Sequence, residues 1–450
     1  MAIDTQHSKL YFPTRTRHYW WGYFYLALLL IAAAVLFFGN LGVDPIDKLQ
    51  EGYFVQVGKE IWQAPEASMR WLFPTFLGKP LVLHAPLYPN VLALALRLGG
   101  ESPWALRIPG ACFALVSVAI VYGIGRELFR FTLPTLLTCC VFLTFFPIAY
   151  LPRLATPDAT LLCFQLLGFW GLLLSRRDLR WSMVVGFGIS LTGLTHTWSL
   201  LPLTIIMVLF LRWDTPRLLV SPVFWFGLTL GLIPLIGWFL IQCYFYEPSL
   251  NWQQFYADWQ NSLTFNPRLS ASWLLQRPLK RHLASALTYF SPWMLASIYG
   301  IKFARGHLNW AWTKFITVTG VVGLVWSTIG LLEGFIFNDA PLSDWYMLPL
   351  YFVTTLLASA QLYQLYLLPS YVAYPASWQN FLGFTALSYF LLGMYGKLIL
   401  LHDLTRLELA LFASTTLTCA IAAYLFSRRD AQFIPILIWG SYVSLLLFFL

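Results

Sequence analysis

Apolar residues run through this chain in long stretches that short polar connections separate. The stretches at 20–39, 133–151, 224–245 and 312–332 are each long enough for a helix of about 20 residues, which crosses a hydrocarbon core about 30 Å thick. Lipid offers the backbone no hydrogen-bond partners, so such stretches form helices unless their strands close a barrel. Barrel strands alternate in polarity at every second residue, and these stretches do not.

The pattern therefore predicts an all-α, polytopic integral membrane protein with about 13 transmembrane helices. The predicted spans are approximately 20–38, 105–125, 131–151, 158–174, 181–196, 198–212, 222–244, 286–303, 312–333, 347–366, 378–395, 407–426 and 433–450. We expect them to form a single transmembrane domain over 1–450, without a soluble C-terminal domain.

Composition agrees with a membrane protein and excludes nucleic acid as a partner. The chain is 59% hydrophobic and 10% charged, whereas a soluble domain has about 25% charged residues. The net charge of +9 comes from Lys and Arg residues scattered singly between apolar spans, without a basic patch. The six cysteines lie within apolar spans without CxxC or Cys/His pairing, which indicates small buried residues rather than disulfides or metal ligands.

Basic residues before the first span and in five short turns indicate the orientation. The rule that cytoplasmic connections are rich in Lys and Arg predicts a cytoplasmic N-terminus and an extracytoplasmic C-terminus in a bacterial plasma (inner) membrane. Two long connections, 40–104 and 245–285, then lie outside. The helical pattern of the first predicts helices that lie in the membrane interface. Many cations also fall on this outer side, and they suit an anionic lipid headgroup or a phosphate.

Three acidic residues follow the first span closely. Asp47 and Glu51 are four residues apart and would share one face of a helix, with Asp44 just before them. A carboxylate here can act as a general base toward a hydroxyl nucleophile, although a solvated loop would show the same spacing. Such carboxylates could also bind a divalent cation, but no ligand spacing demands one and no cofactor is implied.

Cations and polar residues elsewhere on the outer side are candidates for phosphate and substrate binding. Lys79, held by a proline and followed by His84, could clamp a departing phosphate or be an ordinary loop lysine. Arg153 and Asp158 are ionisable residues at a membrane boundary, where Asp158 could equally cap the next helix. The basic segment with Arg268 and Arg281 could bind a lipid headgroup or anchor at the interface.

The order of several short motifs along the chain resembles that of the GT-C glycosyltransferases, most closely the protein mannosyltransferase and aminoarabinose transferase group. The motifs follow the outer acidic loop and are Lys79-Pro80-Leu81, Arg107-Ile108-Pro109, Gly125-Arg126-Glu127-Leu128-Phe129, Arg153-Leu154-Ala155-Thr156-Pro157-Asp158, Ser291-Pro292-Trp293 and Tyr346-Met347-Leu348-Pro349.

The resemblance implies a GT-C-like fold and a polyprenyl-phosphate-linked sugar as donor. It implies inverting transfer on the extracytoplasmic face to a lipid, glycan or protein acceptor, with a carboxylate of the first outer loop as base. We expect Asp47, or failing that Glu51 or Asp44, to be that base. The remaining expected roles are phosphate binding by Lys79, Arg153, Arg268 and Arg281, and substrate orientation by Tyr53, His84, Asp158 and Tyr346.

The chain departs from the family pattern in two places, which keeps other functions open. Gln50-Glu51 stands where the family has Asp-Glu, and no basic residue precedes Tyr346. A lipid or solute transporter, or flippase, is the main alternative, and a catalytically inactive scaffold is the third. A transporter would place ionisable residues near the bilayer midplane, whereas most acidic residues here lie at or beyond the span ends.

Overall fold

The computed structural model describes residues 19–43, 45–47, 51–65, 68–81, 85–129, 131–245, 292–306, 310–336, 344–367, 374–400 and 406–449. These residues are almost entirely helical, which confirms the predicted all-α membrane fold. The helices are α1 (Tyr19–Phe38), α2 (Gly52–Trp62), α3 (Leu87–Gly99), α4 (Pro103–Phe129), α5 (Thr132–Thr144), α6 (Phe146–Tyr150), α7 (Asp158–Ser175), α8 (Ser182–Thr195), α9 (Leu200–Asp214), α10 (Pro216–Val220), α11 (Pro222–Phe245), α12 (Trp293–Arg305), α13 (Ala311–Ile336), α14 (Leu348–Leu367), α15 (Ala376–Leu400), α16 (Arg406–Ser427) and α17 (Phe433–Phe449).

Six of the described helical segments are individually long and apolar enough to cross a membrane, and the bent pair at α5 and α6 would make a seventh. The count of about 13 spans therefore stays a prediction. Helices α7 and α14 are buried over most of their length and lie in the main hydrophobic core. By contrast, α11 has few buried residues and turns most of its side chains outward.

Helices α5 and α6 together occupy the single predicted span 131–151, but the structure breaks it. Phe145 is extended (φ −82°, ψ 111°), and the two helical segments are bent by 64°. Pro147, near the start of α6, has no N–H to continue the hydrogen-bond ladder of α5. The carbonyl of Thr144 accepts instead from Nε1 of the buried Trp293, at 3.3 Å.

The connection between α1 and α4 folds against the end of the bundle where α1 ends and α4 begins, here called the site end. It consists of α2, a short antiparallel hairpin of β1 (Thr75–Phe76) and β2 (Lys79–Pro80), and α3. Helices α2 and α3 are amphipathic and pack on each other around a small apolar cluster that includes Val55 and Leu92. The predicted helices of the first long connection are therefore present.

The other end of the bundle is joined by ion pairs. Asp214, at the end of α9, contacts Arg176 at 2.9 Å and Lys314 of α13 at 3.2 Å. Glu127 of α4 contacts Arg177 at 3.0 Å. These pairs connect the ends of four helices in the part of the chain that the structure describes, and they keep charged groups at the boundary of the apolar bundle.

Candidate active site

Glu51, just before α2, is the centre of a buried polar cluster at the site end. Its carboxylate is 0% exposed. Arg107 of α4 donates to both carboxylate oxygens, from Nε to Oε1 at 2.9 Å and from Nη2 to Oε2 at 2.8 Å. Two backbone amides donate as well, Asp47 N to Oε2 at 2.8 Å and Ala155 N to Oε1 at 2.6 Å. A carboxylate that accepts this many hydrogen bonds is held in one position.

Arg107 extends the cluster to the chain that leaves α1. Its guanidinium donates to the carbonyl oxygens of Leu41, at 3.2 Å, and Pro45, at 3.1 Å. Leu41, Pro45 and Glu51 therefore meet at one buried cation, whose charge the Glu51 carboxylate balances. Because a buried charge is tolerated only when it is paired and hydrogen-bonded, this arrangement fixes the path of the loop.

Asp47 has the opposite environment to that of Glu51. Its side chain is exposed, while its backbone amide is bound by the Glu51 carboxylate. An exposed carboxylate on a fixed backbone can reach a substrate that approaches from outside. Glu51 has no such access, because its side chain is fully buried and its carboxylate already accepts four hydrogen bonds.

Tyr88 of α3 lies beside the same cluster. Its side chain is 1% exposed, and its hydroxyl has no hydrogen-bond partner among the described residues. Burial raises the pKa of Tyr88 well above its usual value, and the negative charges of Asp158 and Glu51 raise it further. The half-buried Asp158, at the start of α7, is thus close enough to act electrostatically on this part of the site.

Lys79 lies in an exposed hairpin that a second carboxylate holds. Glu60 of α2 accepts from Thr75 Oγ1 at 2.5 Å, from Leu77 N at 2.7 Å and from Gly78 N at 3.3 Å. Leu77 and Gly78 both have positive φ, 50° and 76°, so the turn is tight.

The hairpin also contacts the start of α2. The half-buried Tyr53 packs its ring 5.0 Å from that of Phe76, the strand partner of Lys79. Glu60 and Tyr53 therefore connect Lys79 to the helix that Glu51 precedes.

Arg153, one of the expected phosphate ligands, makes its described contacts at the ends of two helices. Its side chain is only 9% exposed. It donates to Leu36 O at 3.1 Å and to Phe449 O at 3.3 Å, and its guanidinium carbon lies 4.5 Å from the centre of the Phe449 ring. Both carbonyls belong to last turns of helices, where the helix dipole favours a cation. The described contacts therefore give Arg153 a role in joining α1 to α17.

Tyr346 lies in a separate aromatic group at the start of α14. It is buried, stacks on Trp345 with ring centres 3.7 Å apart, and packs 5.5 Å from Trp326. His196 lies 4.3 Å from Trp345 and contacts Ser199 Oγ at 3.1 Å. These ring contacts join the C-terminal end of α8, α13 and the start of α14.

Four expected site residues, Asp44, His84, Arg268 and Arg281, lie outside the described residues. Within the described ranges, no three His, Cys, Asp or Glu side chains come together as metal ligands. Sequence reasoning did not single out Tyr88 or Glu60, and it noted Arg107 only as an outer cation and as part of a motif. The signal for Arg107 was its place near the start of an apolar helix, where an arginine needs a partner.

Comparison with known proteins supports the resemblance. Residues 83–240 match the family model described as dolichyl-phosphate-mannose-protein mannosyltransferase. The fold is similar to that of ArnT from Cupriavidus metallidurans bound to undecaprenyl phosphate, with a TM-score of 0.69 at 16% identity over 94% of this chain and 76% of that one. For ArnT in the apo state, the TM-score is 0.65 at 14% identity, over 95% and 76% of the two chains. None of the curated proteins compared with the chain matches it. The predicted resemblance to the mannosyltransferase and aminoarabinose transferase group is confirmed, and the structural likeness establishes the fold.

Proposed function

We propose that the protein is a membrane glycosyltransferase that moves a sugar from a polyprenyl-phosphate donor to an acceptor hydroxyl. The family-model match and the shared fold support a transferase of this class. The similar ArnT structure holds undecaprenyl phosphate, which is a polyprenyl phosphate. We place the reaction at the site end and, following the predicted orientation, on the extracytoplasmic face.

The observation that carries the mechanism is the contrast between Asp47 and Glu51. Glu51 is enclosed by Arg107 and two amides, whereas the carboxylate of Asp47 is exposed on the same fixed loop. Asp47 takes the proton of the acceptor hydroxyl as that oxygen attacks the anomeric carbon. The bond from the anomeric carbon to the phosphate oxygen breaks, and polyprenyl phosphate leaves with the electron pair. A single displacement of this kind inverts the anomeric configuration.

The departing phosphate needs cationic stabilisation. Lys79 is the exposed cation that the hairpin places in the same connection as Asp47, and a cation there stabilises the charge that develops on the leaving group. Arg268 and Arg281 remain proposed further phosphate ligands. Asp158, with Tyr53 and Tyr346, is proposed to orient the substrates. We assign Arg153 to the support of the helix ends instead, because its described contacts are to carbonyl groups.

The test is the Asp47→Asn variant in reconstituted membranes supplied with polyprenyl-phosphate sugars and a lipid extract as acceptor. Removal of a general base lowers transfer by roughly 10²- to 10⁴-fold. Release of polyprenyl phosphate is the readout, and thermal unfolding should be unchanged because the Asp47 backbone amide still binds Glu51. Asp178→Asn, which changes an exposed carboxylate at the other end of the bundle, is the matched control. Full transfer by Asp47→Asn would contradict the proposed mechanism.

A further inference from the structure

An apolar cavity of about 420 Å³ lies in the helical bundle, away from the site end. Its walls come from α1, α5 and α17, with one residue of α14. Most of the lining side chains are aliphatic or aromatic, including Leu29, Leu137, Ile434, Ile438 and Trp439. The hydroxyl of Tyr442 also lines it, but donates to Ala32 O at 2.8 Å. Because its lining is predominantly apolar, the cavity suits a hydrocarbon chain.

The cavity is accessible from the side of the bundle that faces lipid. Trp439 lines the cavity, and its side chain is 62% exposed at the surface of the apolar helix α17. Arg153 joins the site-end termini of α1 and α17, the two helices on either side of the cavity. A chain that enters from the bilayer would therefore extend toward the other end, where Ala431 and Gln432 line the cavity.

Two adjacent arginines precede those lining residues. Arg428 and Arg429 form the turn between α16 and α17, and both side chains are exposed. The guanidinium of Arg428 lies 5.2 Å from the ring centre of Tyr424. The neighbouring carboxylate, Asp430, accepts from Gln432 N at 3.0 Å at the start of α17. The turn thus presents two cations beside the mouth of an apolar cavity.

Arg429 occupies a backbone position that normally selects glycine. Its φ is 61°, Arg429 N donates to Phe426 O at 3.1 Å, and Asp430 N donates to Leu425 O at 3.0 Å. This pair of bonds defines a helix C-terminus whose left-handed residue is usually Gly, because a side chain there is strained. The backbone of the turn therefore favours glycine over arginine at this position, and the arginine adds a charge at the cost of some strain.

We propose that this cavity and turn form a binding site for an anionic phospholipid. One acyl chain fills the space between α1, α5 and α17, and the headgroup phosphate contacts Arg428 and Arg429. Basic groups beside a cleft between transmembrane helices are a recurrent arrangement for such headgroups. In the predicted orientation, the lipid belongs to the cytoplasmic leaflet. The site is separate from the proposed glycosyl transfer and does not depend on it.

The test is native mass spectrometry of the full chain released from phosphatidylcholine nanodiscs that contain a minor share of phosphatidylglycerol. The wild-type chain should retain phosphatidylglycerol in preference to phosphatidylcholine. Arg428→Gln with Arg429→Gln should weaken retention about 25-fold, since each arginine near an anionic surface contributes about 1 kcal/mol. Arg429→Gly should weaken it about 5-fold and unfold at the same or a higher temperature, because it relieves the strained turn. Arg212→Gln with Arg217→Gln removes two exposed charges from α9 and α10, and this variant should retain the lipid as wild type does.

A second pair of variants tests the acyl chain. Ile438→Trp fills the cavity and should lower phosphatidylglycerol retention with both arginines intact. Ile236→Trp enlarges a lipid-facing position of α11 by the same amount and should not. The proposal is overturned if lipid retention does not depend on headgroup charge or if the arginine variants and their control retain phosphatidylglycerol equally. It is also overturned if Ile438→Trp retains phosphatidylglycerol as wild type does. Displacement of phosphatidylglycerol by added polyprenyl phosphate would also overturn it, because the cavity would then belong to the donor.

Discussion

The buried pair of Glu51 and Arg107 offers a direct measure of what holds the site end together. The two side chains are 0% and 5% exposed, and the carboxylate accepts four hydrogen bonds, two from the guanidinium and two from the amides of Asp47 and Ala155. In the Glu51→Gln variant, only one side-chain oxygen can still accept hydrogen bonds. The other position carries an NH₂ group, which faces N–H donors that it cannot bind. It also leaves Arg107 buried without a counter-charge. Breaking one partner of a buried pair destabilises by about 3 to 5 kcal/mol.

The double variant Glu51→Met with Arg107→Met should lose less free energy of unfolding than the sum of the losses in the single variants Glu51→Met and Arg107→Met. It leaves no unpaired charge, although the carbonyls of Leu41 and Pro45 and the two amides lose their partners, at roughly 1 to 3 kcal/mol for each group that stays buried. We expect a coupling free energy of about 3 kcal/mol between the two positions.

The assay is unfolding of the purified chain in one detergent, combined with hydrogen exchange at the amides of Asp47 and Ala155. Exchange at both amides should accelerate in Glu51→Gln. The matched control is the exposed pair of Lys59 and Glu101, 28% and 49% exposed, which should contribute under about 1 kcal/mol. The reasoning is refuted if Glu51→Gln destabilises no more than Lys59→Gln, or if the double variant shows the simple sum of the single effects.

Two further predictions concern the hairpin and the helix packing. Partial burial raises the pKa of Glu60, but hydrogen bonds from Thr75 and three other donors lower it to a net value below that of an ordinary glutamate. The contribution of Glu60 to stability is therefore present above the ordinary glutamate pKa and is lost as pH falls through the lower, folded-state pKa. Proteolysis of the hairpin should accelerate over that acidic range in the wild type but not in Glu60→Gln. Gly186→Ala should destabilise the chain by about 3 kcal/mol or more in detergent unfolding, because the added Cβ would lie 2.1 Å from Leu228 O, whereas Gly237→Ala, with nothing within 4 Å, should be neutral.

Two of the predicted helices agree closely with the structure, because lipid imposes one solution on a long apolar run. The predicted 20–38 and 222–244 agree with α1 (Tyr19–Phe38) and α11 (Pro222–Phe245) within about two residues. The break between α5 and α6 was not predicted. Its local signal, Pro147, is also compatible with a kinked but continuous helix, so the bend of 64° depends on packing around Trp293 that no local pattern contains.

The candidate site was predictable in residue type but not in pairing. Glu51 and Arg107 are separated by 56 positions, and neither spacing nor periodicity indicates that they meet. Arg153 was predicted to bind phosphate from its local motif, and its described bonds reach Leu36 and Phe449, 117 and 296 positions away. An ionisable side chain in an apolar bundle must find a partner, but only the tertiary fold decides which one.

These long-range pairs explain how an exposed carboxylate can be kept in place on a loop. Glu51 in the loop accepts hydrogen bonds from Arg107 of α4 and from the Ala155 amide, which precedes α7. Arg153 connects α1, where the loop begins, to α17. The Asp47 backbone is thereby held from several sides while its side chain remains exposed. Catalytic groups are most effective when they need no reorganisation during the reaction. Glu51 would then serve the proposed chemistry without touching the substrate, because it fixes the residue that does.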